Sequence, residues 1–437
     1  MRVSVYGCGL IGLVTGVALA DVGNDVVLVA CEGEDIERLR AADISFEEPG
    51  LKERLQRELA AGRLRIAADR ERGFEHGQVH MLAVTSDHYE TGRELLVALA
   101  THRPDPITVV NQSTFSMGAA LRLKEAMLAA REGEENLNDV YLLVLPSFLQ
   151  EGAAIQGFTR PQRILLGADE EWGLQLVQEL LRPFLRNQGR LLTMPTKAAE
   201  FTKYAINGML ATKLSFMNEM ANLADQIGVD IEQVRKGVGS DPRIGYDYIY
   251  PGCGFGGLKF SEELLQLAAT VEENVEESFL LRTVLDTNEQ QKEVLFRKAW
   301  THWQTRMRGK TVALLGASFK PNTDHIDNSP ALVLMEALWA QGVTVRLYDP
   351  KALERVKAHY GPRDDLVLCD SLYQAAEGSD ALMIATEWKE FWSPDFERLG
   401  ELMKARLIFD GRNLYNPEFM KELGFTYFGV GRSTAFV

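Results

Sequence analysis

Residues 1–30, MRVSVYGCGLIGLVTGVALADVGNDVVLVA, decide the fold. Residues 2–6 alternate and are β-rich, and a glycine-rich turn follows them. Residues 10–22, rich in Ala, Val and Leu, predict a helix, and DVVLVA at 25–30 predicts a second, fully buried strand. Strand, helix and strand in about 30 residues form a βαβ unit, which commits the chain to a parallel sheet covered by helices.

The turn inside that unit, Gly7-Cys8-Gly9-Leu10-Ile11-Gly12, fits G-x-G-x-x-G between a strand and a helix, the setting in which the pattern carries meaning. Gly7 makes the tight turn, Gly9 lets the backbone approach a pyrophosphate, and Gly12 allows close packing of helix on strand. A glycine turn with no ligand is the plain alternative, and the second strand lends it weight. A dinucleotide site wants an Asp or Glu at that strand's end for the ribose hydroxyls, whereas this strand ends in Ala30. Glu32 follows, but its side chain is expected to point differently, and no arginine stands there to receive a 2′-phosphate.

Outward from this unit, HMLAV at 80–84, ITVVN at 107–111 and VYLLVL at 140–145 predict further buried strands. Residues 197–227 lack proline and carry apolar positions at helical spacing, which predicts one long helix of the kind that crosses between domains or packs on a partner. A second α/β unit begins with TVALLG at 311, continues through a helix at 330–341 and a strand ending at Asp349, and adds ALMIAT and LIFDG. The expected fold is therefore α/β, with two doubly wound Rossmann-like domains joined by a central helical region. The expected ranges are 1–195 for the first domain, 196–298 for the helical region and 299–437 for the second domain.

Composition narrows the partners. A net charge of -15 argues against a nucleic-acid surface, though local cations and helix N-termini can still hold a phosphate. Cys8, Cys31, Cys253 and Cys369 form no CxxC pair, so neither a metal site nor a disulfide framework is expected. Free thiols, a start directly on a strand with no signal peptide, and no apolar run near the roughly 18 residues of a membrane span make a cytoplasmic protein the expectation.

Several segments carry a resemblance: GCGLIGLVTGVALADVGNDVVLV, FEEPGL, KAAEFTKYAINGMLATKLSFMNEMANLADQIGVD, DPRIG, GFGG, SFKPNTD, SPAL and FDGRNLYNPEFMKELGFTYFGVGR. Along nearly its whole length the chain resembles the UDP-glucose/GDP-mannose dehydrogenase family. The resemblance implies an N-terminal NAD domain, a central helical dimerisation region and a C-terminal domain for the nucleotide of a UDP-sugar such as UDP-glucose. It implies a homodimer; a homologue that binds a UDP-sugar without oxidising it could instead form a hetero-oligomer with an active relative. Enzymes of the family oxidise a hexose primary alcohol to a carboxylate with two NAD. A cysteine thiolate captures the aldehyde, and the resulting thioester is hydrolysed.

By the same resemblance, Lys203 and Asn207, four apart on one helix face, match positions that hold the sugar and the catalytic water. Read without it, they would be a solvated helix face. Thr114 and Glu151 match active-site positions, and Arg243 matches an arginine that reaches a neighbouring subunit's substrate. Gly254, Phe255, Gly256 and Gly257 match the loop that wraps the sugar nucleotide. Lys320 and Arg412 match cations of the substrate site, which a diphosphate attracts strongly.

Other positions depart from the pattern. Gly-Gly-Ser-Cys-Phe-Pro-Lys-Asp reads here as residues 256–263, GGLKFSEE, so Lys259 stands at the nucleophile position and Glu263 replaces the aspartate. An ammonium with a reference pKa near 10.4 is a poor substitute for a thiolate, although a buried, neutral one could form an imine. Ser147 replaces a glutamate, and residues 84–87 replace Val-Gly-Thr-Pro over the cofactor. Glu262 and Asp327 replace a lysine and an arginine that the family places near the cofactor. A like-charge contact at about 4 Å costs roughly 1–4 kcal/mol, so these acids, with Ala30, are expected to weaken NAD binding. Three functions remain open: a homologue that binds a UDP-sugar without oxidising it, an active NAD-dependent dehydrogenase that performs all or only the two-electron first step, and a non-oxidative UDP-sugar enzyme using Lys259.

Overall fold

The computed structural model describes residues 1–31, 33–103, 105–132, 139–185, 190–275 and 278–432. Glu32 lies outside them. The chain forms two compact units, Met1–Ala205 and Ile206–Val437.

The first unit carries β1 (Arg2–Tyr6), β2 (Asp25–Val29), β3 (Leu64–Ala67), β4 (Val79–Leu82), β5 (Ile107–Asn111), β6 (Val140–Val144), β7 (Arg163–Gly167) and β8 (Arg190–Met194). They form one sheet in the order β3-β2-β1-β4-β5-β6-β7-β8. Every pairing is parallel except β6 with β7, which meet antiparallel at Val144 and Gly167. Strand order reverses between β1 and β4, so the turn after β1 lies at a switch point, where a doubly wound sheet leaves a crevice at its carboxyl ends. Helix Leu10–Asp21 follows that turn and is buried from Gly12 through Ala20. Its glycines explain how it lies so close: a methyl at Gly12 would sit 1.9 Å from the Gly7 carbonyl oxygen, and one at Gly16 would sit 3.0 Å from Leu28.

The second unit carries β9 (Thr311–Leu315), β10 (Thr344–Tyr348), β11 (Leu366–Leu368), β12 (Ala381–Ile384), β13 (Leu407–Asp410) and β14 (Thr426–Gly429). They form a wholly parallel sheet in the order β11-β10-β9-β12-β13-β14. Its switch point falls between β9 and β12, as that of the first sheet falls between β1 and β4. Helices Leu258–Asn274, Phe279–Lys292 and Val294–His302 precede this sheet.

The long helix runs from Thr196 to Ile227, 32 residues in all. The predicted elements stand within a residue or two of their observed ends. Strands β3, β7, β8, β11 and β14 are not evident in the sequence; of these, β8 and β11 lie at sheet edges with no buried residue, so neither carries the apolar signature of a buried strand.

The two glycines nearest the helix start separate packing from ligand access. We expect Gly12→Ala to cost roughly 1–3 kcal/mol by overpacking, read as a melting temperature lower by several degrees in scanning calorimetry. Gly9→Ala, with nothing within 4 Å of the added methyl, is expected to leave the melting temperature unchanged.

Candidate active site

In the first unit, the turn after β1 has the geometry of a phosphate cradle. Gly7 adopts φ +104°, and a methyl there would lie 2.6 Å from the Ala83 carbonyl oxygen. Gly9 is the residue before the helix, and its side faces open space. No side chain caps that helix start, which leaves backbone N–H groups of the first turn for an anion. These features fit a dinucleotide pyrophosphate.

Strand β2 ends at Val29, one residue earlier than expected, and Ala30 follows it, its N–H donating to the Ala67 carbonyl at 3.0 Å. Among the described residues, an acid that the sequence pattern does not single out reaches the glycine turn. The Glu34 carboxylate accepts from the Cys8 N–H at 2.7 Å through Oε1 and from the Cys31 N–H at 2.6 Å through Oε2. Burial first, and the Glu34 charge second, push the Cys31 thiol up to about 11. Cys8 is raised further by the same two causes, so neither is a nucleophile near neutral pH. On the loop after β4, the Asp87 carboxyl is held below its usual range, chiefly by the Thr85 hydroxyl.

The start of the long helix is fixed to this unit by one face. Glu200 accepts from the N–H groups of Gly118 and Ala120 at 2.8 and 2.9 Å, and Tyr204 donates to the Phe115 carbonyl at 2.7 Å. Lys203, buried, donates to the Thr114 hydroxyl at 2.8 Å. Glu151 is positioned indirectly. Buried Glu48, in the FEEPGL segment, accepts from the Gly152 and Ala154 N–H groups at 2.7 and 2.8 Å and so fixes the turn that carries Glu151.

In the second unit, residues 252–257 form a loop held by its backbone. Asn218 accepts from the Gly252 N–H at 2.9 Å, and Gln291 donates to the Gly252 carbonyl at 2.7 Å. Asn288 grips Phe255 from both sides, accepting from its N–H at 2.9 Å and donating to its carbonyl at 3.0 Å. Arg412 donates to the carbonyls of Gly254 at 3.1 Å and Ala385 at 2.7 Å. Methyls at Gly256 and Gly257 would meet the Asn328 carbonyl oxygen at 2.6 Å and the Phe319 ring at 2.9 Å. The glycines are therefore required by packing. Lys320 is half-buried, its amine 5.4 Å from the Phe319 ring centroid.

Gly257, at φ +90°, opens helix Leu258–Asn274. Within that helix, Glu263 is buried and accepts a short hydrogen bond from the Asn207 amide. Lys259 is exposed on the first turn of that helix, not in the buried setting that imine chemistry asks of an amine. Cys253 cannot take the nucleophile's place. It is buried in the core, with Sγ toward the Ala385 carbonyl, and burial pushes its thiol up. Glu262 and Asp327 are both exposed, where water screens a carboxylate and the electrostatic cost falls to the weak end of its range. Arg243 is exposed and paired with Asp241 through two bonds of 2.7 and 3.0 Å, away from the 252–257 loop's contacts. Among the described residues, no group of three or more His, Cys, Asp or Glu could hold a metal ion, and no helix is long and apolar enough to cross a membrane.

We expect Asn288→Ala to leave both polar groups of Phe255 unpaired, at roughly 1–3 kcal/mol for each group that stays buried. Asn288→Asp, which keeps the acceptor, should cost less. Denaturant unfolding, with limited proteolysis at residues 252–257, reads the difference.

Three stretches of the chain match the UDP-glucose/GDP-mannose dehydrogenase family: its NAD binding domain at residues 1–185, its central domain at 197–290 and its UDP binding domain at 313–417. The chain is 43% identical to a UDP-glucose 6-dehydrogenase of Pseudomonas aeruginosa, over 100% of its own length and 98% of the relative's. It is 33% identical to a UDP-glucose 6-dehydrogenase of Rhizobium meliloti, over 99% of its own length and 100% of the relative's. The structure of a UDP-glucose dehydrogenase from Pyrobaculum islandicum superposes with a TM-score of 0.88 at 29% identity, covering 99% of this chain and 98% of that one.

Proposed function

The chain belongs to the UDP-glucose/GDP-mannose dehydrogenase family, and from that premise we propose that it is an active NAD-dependent UDP-sugar dehydrogenase that performs only the first, two-electron oxidation. Its relatives and its NAD binding domain favour oxidation over binding without turnover. They give no support to a weakened cofactor site. The single observation behind the two-electron limit is Lys259, exposed at the position where the family carries its cysteine, with Cys253 and Cys369 both buried. An exposed ammonium does not add to an aldehyde as a thiolate does.

NAD, when bound, supplies the hydride acceptor. In the reaction proposed here, the sugar's primary alcohol loses one hydride and one proton, and the product is the aldehyde with one NADH. In the first unit, Gly7, Gly9 and Gly12 receive the pyrophosphate, Lys203 and Thr114 hold the reacting hydroxymethyl end, and Glu151 lies on the turn fixed by Glu48. In the second unit, Phe255, Gly256 and Gly257 wrap the sugar nucleotide, Lys320 and Arg412 face its charge, and Asn207 orients Glu263. UDP-glucose is the substrate we assign.

Purified protein given UDP-glucose and excess NAD should form one NADH per sugar consumed, with an aldehyde that hydroxylamine traps. Two NADH per sugar would establish the full four-electron reaction and overturn the two-electron limit. No NADH, with UDP-glucose still bound in calorimetry, would favour the non-oxidising homologue.

We assign a homodimer as the working state. Along the long helix, Phe201, Met209, Phe216, Leu223 and Ile227 are each at least half exposed, and their spacing of mostly seven or eight residues keeps them near one stripe. An apolar stripe of this kind marks a partner surface. Met209→Asp with Phe216→Asp should shift the protein to a monomer in light scattering at unchanged helix content. The free thiols fit a reducing compartment, the cytoplasm.

A further inference from the structure

Ala30, the residue after β2, offers no carboxylate, yet among the described residues the turn it borders has one within hydrogen-bond reach. We propose that Glu34 receives the adenine-ribose hydroxyls of the bound dinucleotide and excludes a 2′-phosphate, which makes it the residue that sets NAD over NADP. The inference rests on the NAD-dependent reading above.

Chain direction brings Glu34 there. Its own N–H closes a turn onto the Cys31 carbonyl at 3.2 Å, and Gly33 at φ +89° supplies a left-handed conformation that glycine adopts without strain. The chain doubles back just beyond β2, and the carboxylate lands on the N–H of Cys8, between the first two glycines of the turn, and on the N–H of Cys31. A carboxylate has about four lone-pair positions. Two take the N–H bonds, one on each oxygen, and the Cys8 thiol engages a third; the position that remains, with the one a ribose hydroxyl takes over from that weak thiol donor, suits a ribose diol. Its negative charge, beside a turn shaped for a pyrophosphate, would repel a further phosphate on the same ribose.

The second unit shows what an acid there looks like when it serves structure only. Asp349 follows β10, which lies beside β9 as β2 lies beside β1. It accepts from the Ala317 and Ser318 N–H groups at 2.8 and 2.9 Å and from the Ser318 hydroxyl at 2.8 Å. It also accepts from the N–H groups of Lys351 and Ala352 at 2.9 and 2.8 Å and from the Trp388 indole at 3.2 Å. Asp349 is 1% exposed, and its bonds fill its acceptor positions. Glu34 makes the same kind of clamp with two bonds and stays half-buried, so it keeps a face for a ligand.

The test compares wild type with Glu34→Ala and Glu34→Gln by calorimetric titration with NAD and with NADP, alongside melting temperatures without ligand. Wild type should bind NAD more tightly than NADP. Glu34→Ala should weaken NAD by about 10–100-fold, as expected for loss of charge-assisted hydrogen bonds, and raise the KM for NAD with kcat little changed. Both variants should narrow the NAD-to-NADP ratio by about tenfold or more. Lower melting temperatures with both dissociation constants unchanged would reduce Glu34 to a turn clamp and overturn the proposal. If Glu34→Ala fails to fold, the ratio for Glu34→Gln decides it. Wild type that binds neither dinucleotide would overturn the NAD-dependent reading itself. Variants that bind NAD as wild type does would overturn only the role of Glu34.

Discussion

Backbone N–H groups at the carboxyl end of a parallel strand point into a turn and must find an acceptor. In both units that acceptor is a carboxylate from just beyond the neighbouring strand: Glu34 for the turn after β1, and Asp349 for the turn after β9. The two sheets share a strand order, so the same need recurs at the same place. The solutions differ in burial. Asp349 is sealed under Trp388 and Ser318, whereas Glu34 rests on a glycine turn with open space beside Gly9. One sheet ends in a closed clamp and the other in a cradle.

A second constraint shapes the loop at 252–257. Backbone buried away from strands and helices needs partners from elsewhere, and here Asn218, Asn288, Gln291 and Arg412 supply them from three separate segments. A loop so held is a fixed surface whose side chains can change at the next residues without disturbing it. Lys259 sits just past it, on an exposed helical turn. The backbone of the loop is thus held independently of the side chain at 259.

Exposure decides how the charge reversals weigh. Glu262 and Asp327 read from the sequence as acids set against a pyrophosphate, but both face water. Glu263, by contrast, is buried and tied to Asn207. Adjacent acids on one helix therefore differ in what they can do, and residue type does not reveal the difference.

The sequence by itself determined the βαβ start, the glycine turn, the long helix and the second α/β unit, because each is written in local periodicity and in residues whose backbone freedom is special. The segments carrying the family resemblance supplied candidate residues in each unit, although not their contacts. Only the tertiary structure decided that Glu34 returns to Cys8, that Glu48 fixes the turn of Glu151, that Asn288 grips Phe255, that Cys253 is sealed in the core, and that Lys259 is exposed. Such contacts join residues 26 to 104 positions apart. A pattern of neighbours along the chain holds no record of them, since they arise when packed strands bring distant turns to the same edge.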